Sequence, residues 1–349
     1  MNPDILPLAE SDLTDLSHFL TTGFHTLPEA HFAAPEVLRW KYLEPGDSPL
    51  ARSFLARDQT GEIAGHVGVC RTAFEGDSLE TVEPVPTIHI IDWLGSTNHP
   101  GVGTALMRRA HQGTPTQFGL GVSPSALVVG ERIGYQLRSL VPVHVRVLRT
   151  DYWRRARGMP IGPRLGRLAR DLAWRARHRL PSASESPRLE RTTSFGPEIE
   201  PAAAAAKRHV ILTSRTPKRL STMLGMPGQT MTGWRLLDPS GNPRGWALTN
   251  IVPTDSGRTR TGKIVDLMLD DLDENRWRTA IVLLTQALQA QGADLALAYG
   301  SAPWTTRALE QCGYASRYTV KFHIRDRSRL IPRDVPFHMT PLEGDYAYT

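Results

Sequence analysis

Two glycines stand where a dense apolar segment gives way to a helical pattern. The apolar segment ends at Leu94, and Gly101 and Gly103 lie at the predicted start of a helix near Val102. Backbone N–H groups at a helix N-terminus carry partial positive charge, and glycine lets an anion approach them without a Cβ in the way. The pattern therefore predicts a pyrophosphate site on the backbone of Gly101, Val102, Gly103 and Thr104.

A second motif follows, and the two together resemble the GNAT (N-acetyltransferase) superfamily. The GNAT cofactor loop reads Gln/Arg-x-x-Gly-x-Gly/Ala, and here it is Asn98-His-Pro-Gly101-Val-Gly103. A later GNAT motif reads Asn-x-x-Ala-x-x-Leu-Tyr-x-x-x-Gly-Phe, and the corresponding residues are Ser123, Ala126, Val129, Gly130, Gly134 and Tyr135. Both frames are kept, but Asn98 departs from the loop pattern and Gly130 replaces the tyrosine that often serves as general acid.

This resemblance implies an enzyme that uses acetyl-CoA, or another acyl-CoA, as co-substrate and acylates a primary amine. It implies that the pantetheine arm lies against the splayed end of the strand at Leu94 to Ser96. Asn98 and Ser123 are further cofactor contacts by their motif positions. The Asp92-Trp93 pair also resembles a bacterial subgroup linked to surface polysaccharide, which implies an amino sugar or related metabolite as acceptor.

Two titratable residues in the apolar segment, His89 and Asp92, are the candidate catalytic residues. The glutamate that often serves as base in GNAT enzymes would fall at Thr87. Alternation along a strand places His89 with Trp93 on one face and Asp92 on the other, and a bulge would reverse this assignment. His89 has an unperturbed pKa of about 6.5, which suits a base, and its alternative is a half-buried histidine bonded to backbone. Asp92 needs a partner in an apolar strand, and its recurrence at Asp266 favours a structural bond over catalysis.

The chemistry-bearing segments recur further along the chain. Gly121-Val-Ser-Pro124 and Gly134-Tyr135 match Gly300-Ser-Ala-Pro303 and Gly313-Tyr314 at one constant offset, and the segment around Asp92 matches that around Asp266. Two matches in order indicate duplication. Counted from the aspartates, the loop glycines fall opposite Asn275-Arg276-Trp277. The second copy is therefore predicted to lack the cofactor site.

The elements that must position these residues read as alternating strands and helices. We predict a mixed α/β (α+β) protein with two tandem GNAT-like folds, each a central mixed sheet flanked by helices. Residues 1–150 form the acyltransferase domain, 151–206 a basic helical connector and linker, and 207–349 a degenerate copy. The length of 349 residues suits two domains.

Charge is concentrated in one segment. Nine arginines and two aspartates lie between Asp151 and Leu180, so the rest of the chain is close to neutral although the net charge is +6. The predicted helix Arg164–Leu180 combines arginines with a leucine stripe. It fits an anionic membrane surface or RNA, or else a connector packed through its apolar stripe with a solvated arginine face.

The remaining composition narrows the function class. No apolar run reaches the roughly 18 residues of a membrane span, and the N-terminus lacks a signal-peptide pattern. Two distant cysteines and the absence of paired histidine spacing predict no metal and a cytoplasmic location. The loop lacks the third glycine of a nicotinamide fingerprint.

Two alternatives to an acetyltransferase are a non-catalytic binding or scaffold protein and an aminoacyl-tRNA-dependent peptide-adding transferase, since tandem GNAT folds also occur in that class.

Overall fold

A computed structural model describes residues 4–43, 52–150, 160–183, 187–228, 231–254 and 259–343. The helices in these ranges are α1 (Leu13–Gly23), α2 (Pro35–Tyr42), α3 (Val102–Ala110), α4 (Pro124–Arg132), α5 (Ile161–Arg177), α6 (Glu200–Lys207), α7 (Pro217–Leu224), α8 (Glu274–Ala290) and α9 (Pro303–Gln311). The strands are β1 (Asp4–Pro7), β2 (Ser53–Arg57), β3 (Ile63–Glu75), β4 (Val85–Gly95), β5 (Thr116–Leu120), β6 (Gln136–Val147), β7 (Arg188–Thr192), β8 (Leu212–Thr213), β9 (Thr232–Leu237), β10 (Pro243–Thr254), β11 (Thr259–Leu269), β12 (Leu295–Tyr299) and β13 (Ala315–Asp326).

One mixed sheet runs through the described parts of the chain. Its strand order is β1-β2-β3-β4-β5-β13-β6-β12-β11-β10-β9-β7, and β8 pairs with β3. The pairs β4–β5 and β11–β12 are parallel, and each is joined by a crossover through α3 or α8. Helices cover the sheet, which confirms the predicted mixed α/β architecture.

The same order of elements occurs twice. Strands β2, β3 and β4 are followed by α3, β5, α4 and β6, and strands β9, β10 and β11 are followed by α8, β12, α9 and β13. The last strand of each series lies within the other half of the sheet, because β6 pairs with β12 and β13 pairs with β5. The proposed division at residues 150 and 206 therefore crosses a continuous sheet, and the predicted connector also supplies β7 and α6.

Helix α3 shows how the sequence fixes the packing near the loop glycines. Its buried residues Val102, Leu106, Met107 and Ala110 follow helical spacing. They pack with Ala64, Val67 and Ile88 of β3 and β4. Gly65 lets this contact close, since a Cβ there would lie 2.7 Å from Leu106 and 2.9 Å from Val102. The N-terminus of α3 is thus held against the end of β4.

Candidate functional site

A β-bulge interrupts β4 at the candidate residues. Gly68 pairs with Ile91 whereas His66 pairs with Leu94, so β4 has one residue more than β3 over this stretch. Asp92 takes up the extra residue with a φ of 47°, a conformation that few residues other than glycine, Asn or Asp adopt. The bulge breaks the strict alternation of side chains along β4, so the face predicted for Trp93 is wrong. Asp92 lies on the α2 side, while Trp93 turns to the α3 side.

The Asp92 carboxylate is buried in a hydrogen-bonded ion pair. Its Oδ2 accepts from Lys41 Nζ and from the Tyr42 hydroxyl, each at 2.6 Å. Burial would raise the pKa of Asp92, but the Lys41 charge, His66 and the hydrogen bonds from Lys41 and Tyr42 together more than offset this, and the pKa is lowered. The carboxylate is therefore held ionised by its partners. This geometry matches the structural alternative for Asp92.

His66 supports the bulge from β3. Its Nδ1 donates to the Asp92 carbonyl at 2.8 Å, and the Ser53 hydroxyl donates to Nε2 at 2.7 Å; this tautomer follows from the partners. Burial lowers the pKa of His66 to about 4, so the ring is neutral near pH 7. Both ring nitrogens are hydrogen-bonded. Asp92 is therefore held at its carbonyl by His66 and at its carboxylate by Lys41 and Tyr42.

After His89, just before the bulge, β4 and β5 diverge and leave a cavity. Their ladder ends at His89 and Phe118. The cavity has a volume of about 280 Å³, and its apolar lining includes Phe24, Ile90, Trp93, Met107, Leu120, Ala126 and Leu127. Polar groups at its wall come from Asp92, Ser123, Tyr135 and His323. A mostly apolar cleft with a few convergent polar groups is the usual form of a ligand site.

The N-terminus of α3 is joined to the cavity wall through Trp93 and lacks a side-chain cap. Gly101 precedes the helix with a φ of 90°, a backbone that favours glycine, and no side chain caps the helix. Within the described chain, the N–H groups of Gly103 and Thr104 have no hydrogen-bond acceptor. Trp93 Nε1 donates to the Gly103 carbonyl at 3.1 Å, which ties the bulge to the helix. Unpaired N–H groups at a helix N-terminus form an anion site.

The other predicted cofactor contacts take different places. Ser123 lines the cavity and also caps α4 by accepting from the Ala126 N–H at 3.3 Å. Ser96 Oγ accepts from the Asn98 N–H at 3.2 Å and so shapes the loop, and Asn98 is exposed. Leu94 packs against the cluster of α1 and α2, where it covers Gly23.

His89 does not line the cavity, contrary to the prediction that it reaches a substrate. Its ring is buried and stacks on Phe118, with ring centroids 4.6 Å apart. Burial lowers its pKa to about 3. The prediction assumed that the strand face of His89 faces the ligand, but the cavity opens only after the ladder between His89 and Phe118 has ended.

His323 was missed by the sequence analysis, and it comes from the other half of the chain. It lies on β13 opposite Gly119 of β5 and reaches the cavity wall. The side chain is buried, and Nδ1 has no hydrogen-bond partner among the residues described. Burial lowers its pKa, as does Lys321, while Glu131 opposes the shift. The cavity therefore holds a neutral imidazole that only the strand exchange brings there.

Gly130 and Tyr135 also line the cavity. The Tyr135 hydroxyl donates to Gln117 Oε1 at 2.8 Å, and burial raises its pKa. Tyr135 is thus bound to the protein in its neutral form. Gly130 adds no side chain, and a Cβ there would meet Tyr135 at an ordinary 3.7 Å. The space that a larger side chain would occupy at this position is therefore part of the cavity.

The corresponding space between β11 and β12 is filled by side chains. Trp277 is fully buried, and its ring lies 6.3 Å from that of Trp304. The space left is about 20 Å³. Asp273 caps α8 by accepting from the Arg276 N–H at 2.9 Å. Asp273 precedes α8 as Gly101 precedes α3. The loop from Asp266 to Asp273 is therefore two residues shorter than the loop from Asp92 to Gly101. Gly103 corresponds to Asn275 and not, as predicted, to Trp277.

Asp266 repeats the buried charge of Asp92 with a different partner. Arg215 Nε donates to Asp266 Oδ2 at 3.2 Å, and Trp246 Nε1 donates to the same oxygen at 3.2 Å. Glu343 pairs with Arg215 at 2.5 Å. Burial would raise the pKa of Glu343, but Arg215 and Arg219 lower it to about 2. Through Arg215 these ion pairs hold Glu343, the last residue described, against β11 of the second half.

Comparison with known proteins gives matches in structure and not in sequence. No protein-family model matches the chain, and no curated protein sequence matches it. Saccharomyces cerevisiae N-myristoyltransferase with bound myristoyl-CoA superposes with a TM-score of 0.65 at 12% identity, over 93% of this chain and 82% of that one. A GCN5-related N-acetyltransferase from Anabaena variabilis gives 0.60 at 14% identity, over 93% and 72%. One from Kribbella flavida gives 0.53 at 14%, over 93% and 70%. The chain has a GNAT-type fold.

Proposed function

We propose that this protein is an acyl-CoA-dependent N-acyltransferase with one acyl-CoA site per chain. The observation that carries the proposal is the apolar cavity between β4 and β5, whose wall residue Trp93 is hydrogen-bonded to the uncapped N-terminus of α3. A helix N-terminus suits a pyrophosphate, and a narrow apolar cleft suits a pantetheine arm. The solved structures with this fold include one with bound myristoyl-CoA, which supports an acyl-CoA as the ligand.

The pyrophosphate would accept hydrogen bonds from the Gly103 and Thr104 N–H groups. The pantetheine amides would pair with the β4 backbone beyond His89, where β5 has left the ladder, as an added strand would. The second half offers neither feature, because Trp277 and Trp304 fill its cleft and Asp273 occupies its helix N-terminus. The duplicated half thus serves as scaffold and supplies β13 to the first half.

In the proposed reaction the amine nitrogen attacks the thioester carbonyl carbon. The C–S bond breaks as the amide forms, and the departing thiolate takes up the proton that the attacking nitrogen loses. The ammonium proton of the acceptor must first be lost to a base. We assign that role to His323, the neutral imidazole of the cavity wall. Asp92 is unsuited to it because Lys41 and Tyr42 already occupy its Oδ2.

The first experiment measures release of coenzyme A thiol from acetyl-CoA and longer acyl-CoAs with a panel of primary amines. Turnover with at least one pair supports an N-acyltransferase. Absence of turnover with every pair, together with tight acyl-CoA binding, would favour the non-catalytic alternative. Absence of both binding and turnover would refute the proposal.

A matched pair of histidine variants then tests the base. Replacing His323 with Gln should lower kcat/KM by roughly 10²-fold or more, within the range expected for loss of a general base. The control is His89→Gln, which removes a buried histidine outside the cavity and should change kcat/KM by much less in the folded fraction. Equal losses in the two variants, or a larger loss for His89→Gln, would contradict the assignment.

A further inference from the structure

Helix α5 lies on the protein with its polar side inward. Asp171 is its buried residue, and it pairs with Arg170 at 2.8 Å and Arg167 at 3.9 Å. Trp174 faces β6, where the Arg146 guanidinium lies 5.6 Å from its ring centre. Arg146 also donates to the His178 carbonyl at 2.7 Å, just after the helix. The inward side of α5 thus includes ion pairs and an indole ring, and Leu168 beside them is half-buried.

The apolar side of α5 faces outward. Ile161, Leu165 and Leu172 are 69%, 51% and 48% exposed. Their spacing of four and seven residues places them on one side of the helix at 3.6 residues per turn. Ala169 and Ala176 lie on that side and are exposed as well. Of the predicted stripe, Leu168 is half-buried whereas Leu165, Leu172 and Ala176 are exposed, so α5 does not pack on the protein through the whole stripe as a connector would.

Arginines border this apolar side. Arg170, Arg175 and Arg177 are exposed. By helical geometry Arg175 lies at one edge of the apolar side, and Arg177 and Arg170 lie further round the helix on its other flank. The helix carries five arginines and one aspartate. An exposed apolar stripe on a strongly cationic helix is the combination that binds at the headgroup and acyl-chain boundary of an anionic lipid surface. Leucines enter the boundary of the acyl chains while guanidinium groups bind headgroup phosphates.

We propose that α5 docks this protein on an anionic lipid surface through Ile161, Leu165 and Leu172. A polyanion such as RNA would neutralise the arginines but would leave the leucine stripe in water, so the stripe favours lipid. Within the described ranges no helix is long and apolar enough to cross a membrane, and the geometry here is that of a helix lying in the membrane plane. The proposal is independent of the acyltransferase assignment.

The test is co-flotation of the full chain with vesicles of phosphatidylcholine alone or of phosphatidylcholine with phosphatidylglycerol. Binding is expected only to the anionic vesicles, and it should fall steeply between about 0.05 M and 0.5 M salt as screening shortens the reach of the arginines. Changing Arg170, Arg175 and Arg177 to Gln should lower the bound fraction at least about tenfold. A control variant with Gln at the exposed Arg132, Arg208 and Arg317 should bind like wild type.

A leucine pair separates lipid from other occupants. The double variant Leu165→Gln, Leu172→Gln keeps every charge and should lose most vesicle binding at low salt. Leu6→Gln with Leu137→Gln, at leucines that are 52% and 54% exposed elsewhere, is the control and should keep it. No flotation of wild type with anionic vesicles at low salt would overturn the proposal. Flotation that the Leu165→Gln, Leu172→Gln double variant leaves unchanged would also overturn it, because it would indicate a general polyanion site. A wild-type dimer in sedimentation analysis that this double variant dissociates would overturn it as well.

Discussion

Lys41→Met tests the conclusion that Asp92 is a structural charge. The substitution keeps the length and apolar stem of the side chain but removes the ammonium that lies 2.6 Å from Asp92 Oδ2. The two side chains are 2% and 4% exposed, so water cannot replace the lost partner. Removing one member of a buried ion pair costs about 3–5 kcal/mol, because the other charge is left uncompensated. Such a loss is a large part of the stability of an ordinary domain.

The pH dependence of this loss follows from the sign of the pKa shift. In the wild type the pKa of Asp92 is lowered, so its contribution to stability is present above about pH 4 and is lost at lower pH. In Lys41→Met burial, the largest influence on this pKa, is opposed only by His66 and the Tyr42 hydrogen bond, so the pKa of Asp92 should rise above its unfolded value. The variant's deficit should therefore shrink as the pH falls from 7 toward 4, because Asp92 takes up a proton and becomes neutral.

Urea unfolding of both proteins, followed by tryptophan fluorescence across this pH range, measures the difference. A matched variant, Lys41→Met with Asp92→Asn, removes both charges and should recover at least about 2 kcal/mol relative to Lys41→Met alone. A deficit below about 1 kcal/mol near pH 7 would refute the structural assignment, since that is the size of an exposed pair. A deficit that stays constant with pH would refute it as well.

Three further predictions concern residues of both halves. Glu343, with a pKa of about 2, contributes stability above about pH 4.5 that is lost as the pH falls toward 2; Glu343→Gln should lower the melting temperature at neutral pH and flatten this acid limb in thermal scans. Trp277→Ala should cost about 3–5 kcal/mol in urea unfolding, because it empties a fully buried site, and a cost below about 1 kcal/mol would contradict the filled cleft. Gly130→Ala should raise stability by about 0.5–1 kcal/mol, since a Cβ meets only ordinary contacts in a helix; a lower melting temperature would contradict this.

The repeating elements could be predicted because they carry strong local patterns. The helix after the loop glycines was predicted from about Val102 to His111 and runs from Val102 to Ala110. The strand Leu295–Tyr299 has the predicted ends. The uncapped helix N-terminus follows from the glycine positions alone. Helix α2, which supplies both partners of Asp92, was missed because its short sequence, Pro35–Tyr42, has a weak apolar pattern.

The rest of the site depends on contacts between residues far apart in sequence. A β-bulge at Asp92 depends on pairing with β3, so alternation in β4 alone gave the wrong face for Trp93. His323 was out of reach because the exchange of β6 and β13 between halves is a property of the whole sheet. The sequence shows only that a histidine lies in the final strand of the second half. No local pattern connects it with the glycine loop of the first half.

Calorimetric titration with coenzyme A tests the central claim most directly, because the pyrophosphate is independent of the acyl chain. The wild type should bind one equivalent per chain. Thr104→Glu places a carboxylate beside the unpaired N–H groups of the first helical turn, where it suits the helix but repels pyrophosphate; a like charge at about 5 Å should weaken binding by about tenfold or more. Thr104→Gln has the same shape without the charge and should bind within about twofold of wild type, since only the Coulomb repulsion is absent. Two equivalents per chain, no binding by the wild type, or equal affinities for the Glu and Gln variants would contradict a single site at the N-terminus of α3.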